Sequence, residues 1–237
     1  MGAAEHPADQ ALKPVILYLF DIDGTLLDAH GSGRGAFDDA MLELHGVADA
    51  SVGIRYGGKT DHAIIDEIFR ARLGRAATLD DRETFLRAYV PKLAHKMAAN
   101  GVRVLDGALA ALEYLAPRAR LGVATGNIRE GAEAKLAAAG LSGRFELGGY
   151  GCDSMLRPEL VARAIARAGT VTEVIVVGDT IHDISAARAC GATVCAVATG
   201  SDSADALAHA DVVFRSLSEL PAWHAQRFDS AAAPIPC

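Results

Sequence analysis

Val15-Ile16-Leu17-Tyr18-Leu19-Phe20 runs directly into Asp21-Ile22-Asp23-Gly24-Thr25-Leu26. Six apolar residues in a row, bounded by Pro14 and a polar turn, read as a short strand buried on both faces. The same kind of run recurs at Leu121 to Ala124, Val174 to Val177, Thr193 to Val197 and, more weakly, Val212 to Phe214. Phe145-Glu146-Leu147 is a lesser candidate. Helical patterns of crossover length lie between these runs. Asp106 is placed to cap a helix carrying Leu109, Leu112 and Leu115. Arg129 to Ala139 stops at Gly140, and Ile181 to Cys190 stops at Gly191. Pro158 suits the first turn of a helix with Leu160, Val161 and Ile165. Ser216 and Glu219 match a capping box. The alternation predicts an α/β protein, with a parallel sheet and helices on both faces.

One interval breaks that rhythm. From Ala29 to Val102 no strand is evident. Ala36, Ala40, Met41 and Leu44 fall at helical spacing, as do Ile64, Ile65, Ile68, Phe69 and Leu73. Phe85, Leu86, Tyr89, Leu93 and Met97 form a third stripe, in which Pro91 predicts a kink or break. The reading is a helical insert, residues 29–102, within a core made of residues 1–28 and 103–237, with 1–13 a frayed tail.

Composition narrows the classes. The 237 residues are 51% hydrophobic and 22% charged, which fits a globular chain with a real core. With 23 Lys+Arg against 30 Asp+Glu, the net charge of −7 argues against nucleic acid or an anionic membrane as partner. No apolar stretch is long enough to span a bilayer. The N-terminus lacks the cationic start and apolar run of a secretion signal. Cys152, Cys190, Cys195 and Cys237 form no C-x-x-C pair, so free thiols in a cytoplasmic protein are expected. Trp223 and the segment beyond it read as a tail without an assigned role.

The chemistry concentrates where strands end, the place where open α/β sheets bind ligands. Asp21 and Asp23 are two apart, so in extended geometry they project to one side, and Gly24 permits a tight turn. Paired carboxylates need a cation or proton to hold them together. Asp179 and Asp183, four apart after a second buried strand, add hard oxygen ligands of the kind that suits Mg²⁺. Asp179 alone also reads as a helix N-cap. Thr125-Gly126-Asn127, after another strand, offers a hydroxyl and backbone N–H groups at a strand-to-helix turn, a phosphate-binding arrangement. Arg157-Pro158 stands before a helix. Arg55-Tyr56-Gly57-Gly58-Lys59-Thr60-Asp61 reads as a loop into a helix capped by Thr60 or Asp61. His30, His62 and His182 lie near these motifs and carry no assigned ligand role.

Asp21-x-Asp23-Gly24-Thr25, Thr125-Gly126-Asn127 and Gly178-Asp179-x₃-Asp183, in this order and each after a strand, resemble motifs of the haloacid dehalogenase superfamily. The group most alike is the phosphoglycolate-phosphatase-like hydrolases, and the helical insert resembles their C1 cap. The resemblance spans Val15 to Leu220 and implies a Rossmann-like core. It implies a Mg²⁺-dependent phosphatase of a small phosphorylated metabolite, working through an aspartyl-phosphate as monomer or homodimer. Asp21 would attack phosphorus. Asp23 would serve as general acid and then base. The Asp21 carboxylate, the Asp23 backbone carbonyl, Asp179 and Asp183 would hold Mg²⁺. Gly24, Thr125, Gly126 and Asn127 would hold phosphate. The family usually has Lys in its third motif; here Arg157 takes that position, and its planar fork still suits phosphate and Asp21. Lys59 and Arg55 would meet an anionic leaving group. A phosphomutase resembling β-phosphoglucomutase is the alternative among enzymes, and a catalytically weak binding module the alternative outside them.

Overall fold

The computed structural model describes residues 15–229. The expected tail at residues 1–13 and Cys237 lie outside that range. Strands β1 (Ile16–Phe20), β4 (Arg120–Ala124), β5 (Leu147–Gly149), β6 (Glu173–Gly178), β7 (Thr193–Val197) and β8 (Val212–Phe214) form one sheet in the order β5-β4-β1-β6-β7-β8. Every pairing in it is parallel. β1 lies between β4 and β6, which is why its apolar run is unbroken: Tyr18 and Phe20 enter the hydrophobic core on one face, Leu17 and Leu19 the core on the other.

The crossovers are α4 (Ala108–Leu115), α5 (Arg129–Ala138), α6 (Arg157–Ala168) and α7 (Ile181–Ala189). Gly140 and Gly191, with φ of 68° and 66°, follow α5 and α7 as their sequence predicts. Three expectations need correction. Asp106 does not cap α4; the N-cap is Gly107 at φ 77°, with no side-chain cap. Phe145 precedes the strand, which begins at Leu147. Ser216 and Glu219 do not close a reciprocal box: Ser216 accepts from Ser218 N–H, and Glu219 accepts from Arg215 N–H, one residue further out. Trp223 is no loose tail. It sits on α8 (Leu220–His224), with its ring 6.3 Å from that of Phe214. On the same helix, buried His224 shares a 2.8 Å hydrogen bond with Tyr18 of β1.

Between two short strands, β2 (Leu27–Asp28) and β3 (Arg103–Val104), the chain forms α1 (Ser32–His45), α2 (Asp61–Leu73) and α3 (Leu79–Asn100). β2 and β3 pair antiparallel, so the helical segment leaves and returns through adjacent strands. Its core is aromatic: Phe37 of α1 meets Tyr89 and Phe85 of α3 at ring distances of 4.5 and 5.1 Å. Pro91 does not break α3, which runs through it for 22 residues. Leu93 and Met97 stay buried beyond it, so packing of the apolar stripe outweighs the lost hydrogen bond.

Candidate active site

The loops after β1, β4, β6 and β7 converge on a cavity of about 510 Å³, whose far wall is made by α1–α3 and the Tyr56–Asp61 loop. Asp21 is the first residue past β1 and is buried. Its backbone N–H still bonds to Val177 at 2.8 Å, so the sheet ladder fixes its position. Arg157, the first residue of α6, is buried opposite it. The guanidinium lies 2.8 Å from Asp21 Oδ2 and 2.6 Å from Asp183 Oδ1. One fork thus holds two carboxylates, as charge-assisted pairing favours. Burial alone would push Arg157 down, but the carboxylates of Asp183 and Asp21 hold it above its ordinary value.

Asp179 does not cap α7; Thr180 does, in a reciprocal box with Asp183. Asp179 lies before the helix. It accepts from Thr25 Oγ1 at 3.1 Å and from Ser201 N–H at 3.0 Å. A Cβ on Gly24 would stand 2.6 Å from its Oδ2, and Gly24 also has φ +80°, so the turn is glycine's on both counts. Oxygens of Asp21, Asp179 and Asp183 lie within 4.8 Å of one another, all three residues buried. Burial pushes Asp179 up to about 8, and the charges of Asp21 and Asp183 add to it. Burial likewise lifts Asp21 to about 6, against the pull of Arg157. Three buried carboxylates, with one guanidinium that pairs with two of them, are short of positive charge. An all-oxygen donor set of that kind fits a hard divalent cation.

Asp23 turns to a different partner. Both its oxygens accept from Lys135, at 2.7 and 2.6 Å, and Oδ2 also accepts from Asn127 Nδ2 at 2.7 Å. Lys135 gives a further bond of 2.7 Å to Asn127 Oδ1. Asn127 in turn donates to Thr125 Oγ1 at 2.7 Å, so Thr125, Asn127, Lys135 and Asp23 form one network. The reading of the motifs did not select Lys135. Its signal was there: it falls with Ala132 and Leu136 on the buried face of α5, a place for an apolar side chain.

The Tyr56–Asp61 loop closes directly over this network. Asp61 N–H donates to Gly126 O at 2.8 Å, and Asp61 Oδ2 accepts from Ile128 N–H at 2.8 Å. A Cβ on Gly126 would stand 2.1 Å from the Lys59 carbonyl, so only glycine allows that approach. Thr60, not Asp61, caps α2. Burial raises Asp61 to about 6 although Lys135 and the Ile128 amide pull the other way. Lys59 lines the cavity and pairs with Glu67. Arg55 does not reach it. Its side chain is 84% exposed, stands 3.8 Å from Asp202, and borders a separate surface depression. Cys152, Cys190 and Cys195 are free thiols. Among the described residues no helix is long and apolar enough to cross a membrane.

Carboxylates gathered at the carboxyl edge of a parallel sheet, faced by buried cations, mark the edge where α/β enzymes bind their ligands. The chain belongs to the haloacid dehalogenase-like hydrolases, whose family model matches residues 18–197. It is 30% identical over 223 residues to "Probable phosphatase IndB" of Dickeya dadantii (strain 3937), covering 88% of this chain and 92% of that one. It shares its fold with CbbY from Rhodobacter sphaeroides, solved in complex with phosphate (TM-score 0.71, 21% identity, 86% of this chain and 95% of that one). A structure described as a predicted phosphoglycolate phosphatase from Haemophilus somnus 129pt is also similar (TM-score 0.66, 20% identity, 90% and 98% covered).

Proposed function

We propose that the protein is a Mg²⁺-dependent phosphatase of a small phosphorylated metabolite, working through an aspartyl-phosphate on Asp21. The observation that carries this is the seat of Asp21: buried at the end of β1, 2.8 Å from Arg157, and among the oxygens of Asp179 and Asp183. A carboxylate held in place by the sheet can attack without reorganising. Phosphoryl transfer needs mainly positioning and positive charge around the phosphoryl oxygens.

The Asp21 carboxylate attacks phosphorus, and the bond to the leaving oxygen breaks. Asp23 gives that oxygen its proton. Asp23, now ionised, takes a proton from water as the water oxygen attacks the phosphoryl group and frees Asp21. Gly24, Thr125, Gly126, Asn127 and Arg157 line the cavity, where the first four would border the phosphate and Arg157 would face its oxygens. The carboxylates of Asp21, Asp179 and Asp183, with the Asp23 backbone carbonyl, would hold Mg²⁺. When bound, the ion supplies charge screening between the phosphate and the attacking carboxylate.

Residues 29–102 act as a cap that excludes water and selects the leaving group. Lys59 and Arg34 are cap cations on the cavity wall, so phosphoglycolate, with its carboxylate, is the first compound to set against neutral sugar phosphates. The test is phosphate release from a panel of monoesters with and without Mg²⁺. Mg²⁺-dependent release with one marked preference supports the reading. Transfer to a sugar hydroxyl without release would make the protein a mutase, and inertness of folded protein would make it a binding module.

A further inference from the structure

Lys135 is the buried cation that the steps above do not use. It sits in the middle of α5, with its side chain 6% exposed. An ammonium group has three hydrogens and no acceptor. Here three acceptor atoms meet it at 2.6 to 2.7 Å: both carboxylate oxygens of Asp23 and Oδ1 of Asn127. Its donors are therefore spent within the protein, and none is left to bind a phosphate oxygen. Arg157 is different, because its fork opens onto Asp21, where phosphorus is attacked.

Asp23 needs a device of this kind. Its side chain is 45% exposed, and it follows β1 rather than lying in the ladder, so the sheet does not fix it. A bidentate grip from Lys135 and a 2.7 Å bond from Asn127 leave the carboxyl group one orientation on the cavity wall. Asn127 cannot turn away, since its carbonyl is tied to Lys135 and its amide to Thr125.

We propose that Lys135 is a positioning residue that aims the carboxyl group of Asp23 at the leaving oxygen, through a Lys135–Asn127–Asp23 unit in which one Lys135 bond gives way when an Asp23 oxygen carries the proton it donates. The inference rests on the phosphatase reading above, because it assumes Asp23 protonates a leaving group. It adds that, in the transfer of the phosphoryl group to Asp21, loss of Lys135 harms protonation of the leaving oxygen and leaves attack by Asp21 in place.

The leaving group separates the two steps. An alkyl phosphate needs a proton to depart, whereas 4-nitrophenyl phosphate does not. In Lys135→Met, kcat/KM on an alkyl monoester, which covers only the steps through departure of the leaving group and not the later water attack common to both esters, should fall by about tenfold or more, part of the 10²–10⁴-fold that general acid catalysis supplies. On 4-nitrophenyl phosphate it should fall less than about threefold, the attacking group and Arg157 being intact. In an Asp23→Ala background, adding Lys135→Met should cost nothing further on the alkyl ester, as expected for residues acting as one unit. Lys135→Gln keeps a donor for Asp23 and serves the same comparison if the Met variant does not fold. Equal losses on both esters would overturn the inference, assigning Lys135 to phosphate binding or to packing. So would additive losses in the double variant. If the unaltered protein hydrolyses neither ester, the phosphatase reading itself fails.

Discussion

Asp21 and Asp23 stand two residues apart, and each is gripped by its own buried cation. The grips differ. Arg157 opens an α6 N-terminus toward Asp21 and shares its fork with Asp183, so this corner ties the end of β1 to the first turn of α7. Lys135 comes from the middle of α5 and shares its charge between one carboxylate and one amide, tying β1 to the loop after β4. The first corner is an anion-rich cluster still short of positive charge, where the proposed reaction would seat a cation and a phosphoryl group. The second is a set of hydrogen bonds in which Lys135 is fully engaged within the protein and holds one side chain still. Two neighbouring carboxylates thus stand in two different surroundings, which suit the two roles proposed for them.

The widest contrast is reached by removing the attacking carboxylate. Asp21→Asn should lower phosphate release by about 10⁴-fold or more, the scale seen when a covalent nucleophile is lost. Circular dichroism should show the fold intact. Residual activity near the unaltered rate would mean that another group attacks.

Arg157→Ala comes next. It leaves Asp21 and Asp183 buried without their guanidinium, and breaking a buried pair from one side costs about 3–5 kcal/mol. Urea unfolding in the absence of divalent cations should show that loss, with a marked fall in turnover. Arg157→Lys keeps the charge but not the fork, so it should restore stability better than activity. Removal of divalent cations from the unaltered protein should lower Tm, and Mg²⁺ should raise it with the logarithm of one plus its concentration over Kd. The same addition should do little for Asp179→Asn. A Tm indifferent to Mg²⁺ in both proteins would count against the acidic cluster as a metal site.

The cap side offers a smaller effect with a defined sign. Asp61 has its pKa raised by burial to about 6, so its ionised form is disfavoured in the folded protein. Its contribution to stability is therefore present below the unfolded value near 4 and lost as pH rises through about 6. Asp61→Asn keeps an acceptor for the Ile128 amide and has no such loss. The variant should match the parent near pH 4 and be the more stable of the two near pH 8, as followed by urea unfolding at each pH. The reverse order would show that the charged form is the stabilising one. Smallest of all, Arg55→Ala should change kcat/KM by less than about twofold, since its ion pair is exposed and weak.

The sheet and the first corner were legible because the chain writes them locally. Each apolar run ends in its own polar motif, and a parallel sheet brings such ends to one edge. The helical insert was legible from its stripes, though Pro91 argued against the continuous α3 that packing maintains. The second corner was not legible, because Lys135 is 112 residues from Asp23 and belongs to no strand-end motif. Its only trace is a charge on the apolar face of a helix. Arg55 misled for the opposite reason: sequence nearness to Lys59 says nothing about which way a loop side chain leaves the backbone.

The central claim is that Asp21 becomes covalently phosphorylated. The direct measurement is rapid acid quench of the unaltered protein mixed with a phosphomonoester and Mg²⁺, followed by mass spectrometry of its peptides. The account predicts the added mass of one phosphoryl group on the peptide carrying Asp21, and its absence in Asp21→Asn. Rapid phosphate release with that peptide unmodified, by a protein whose Asp21→Asn variant remains active, would contradict it.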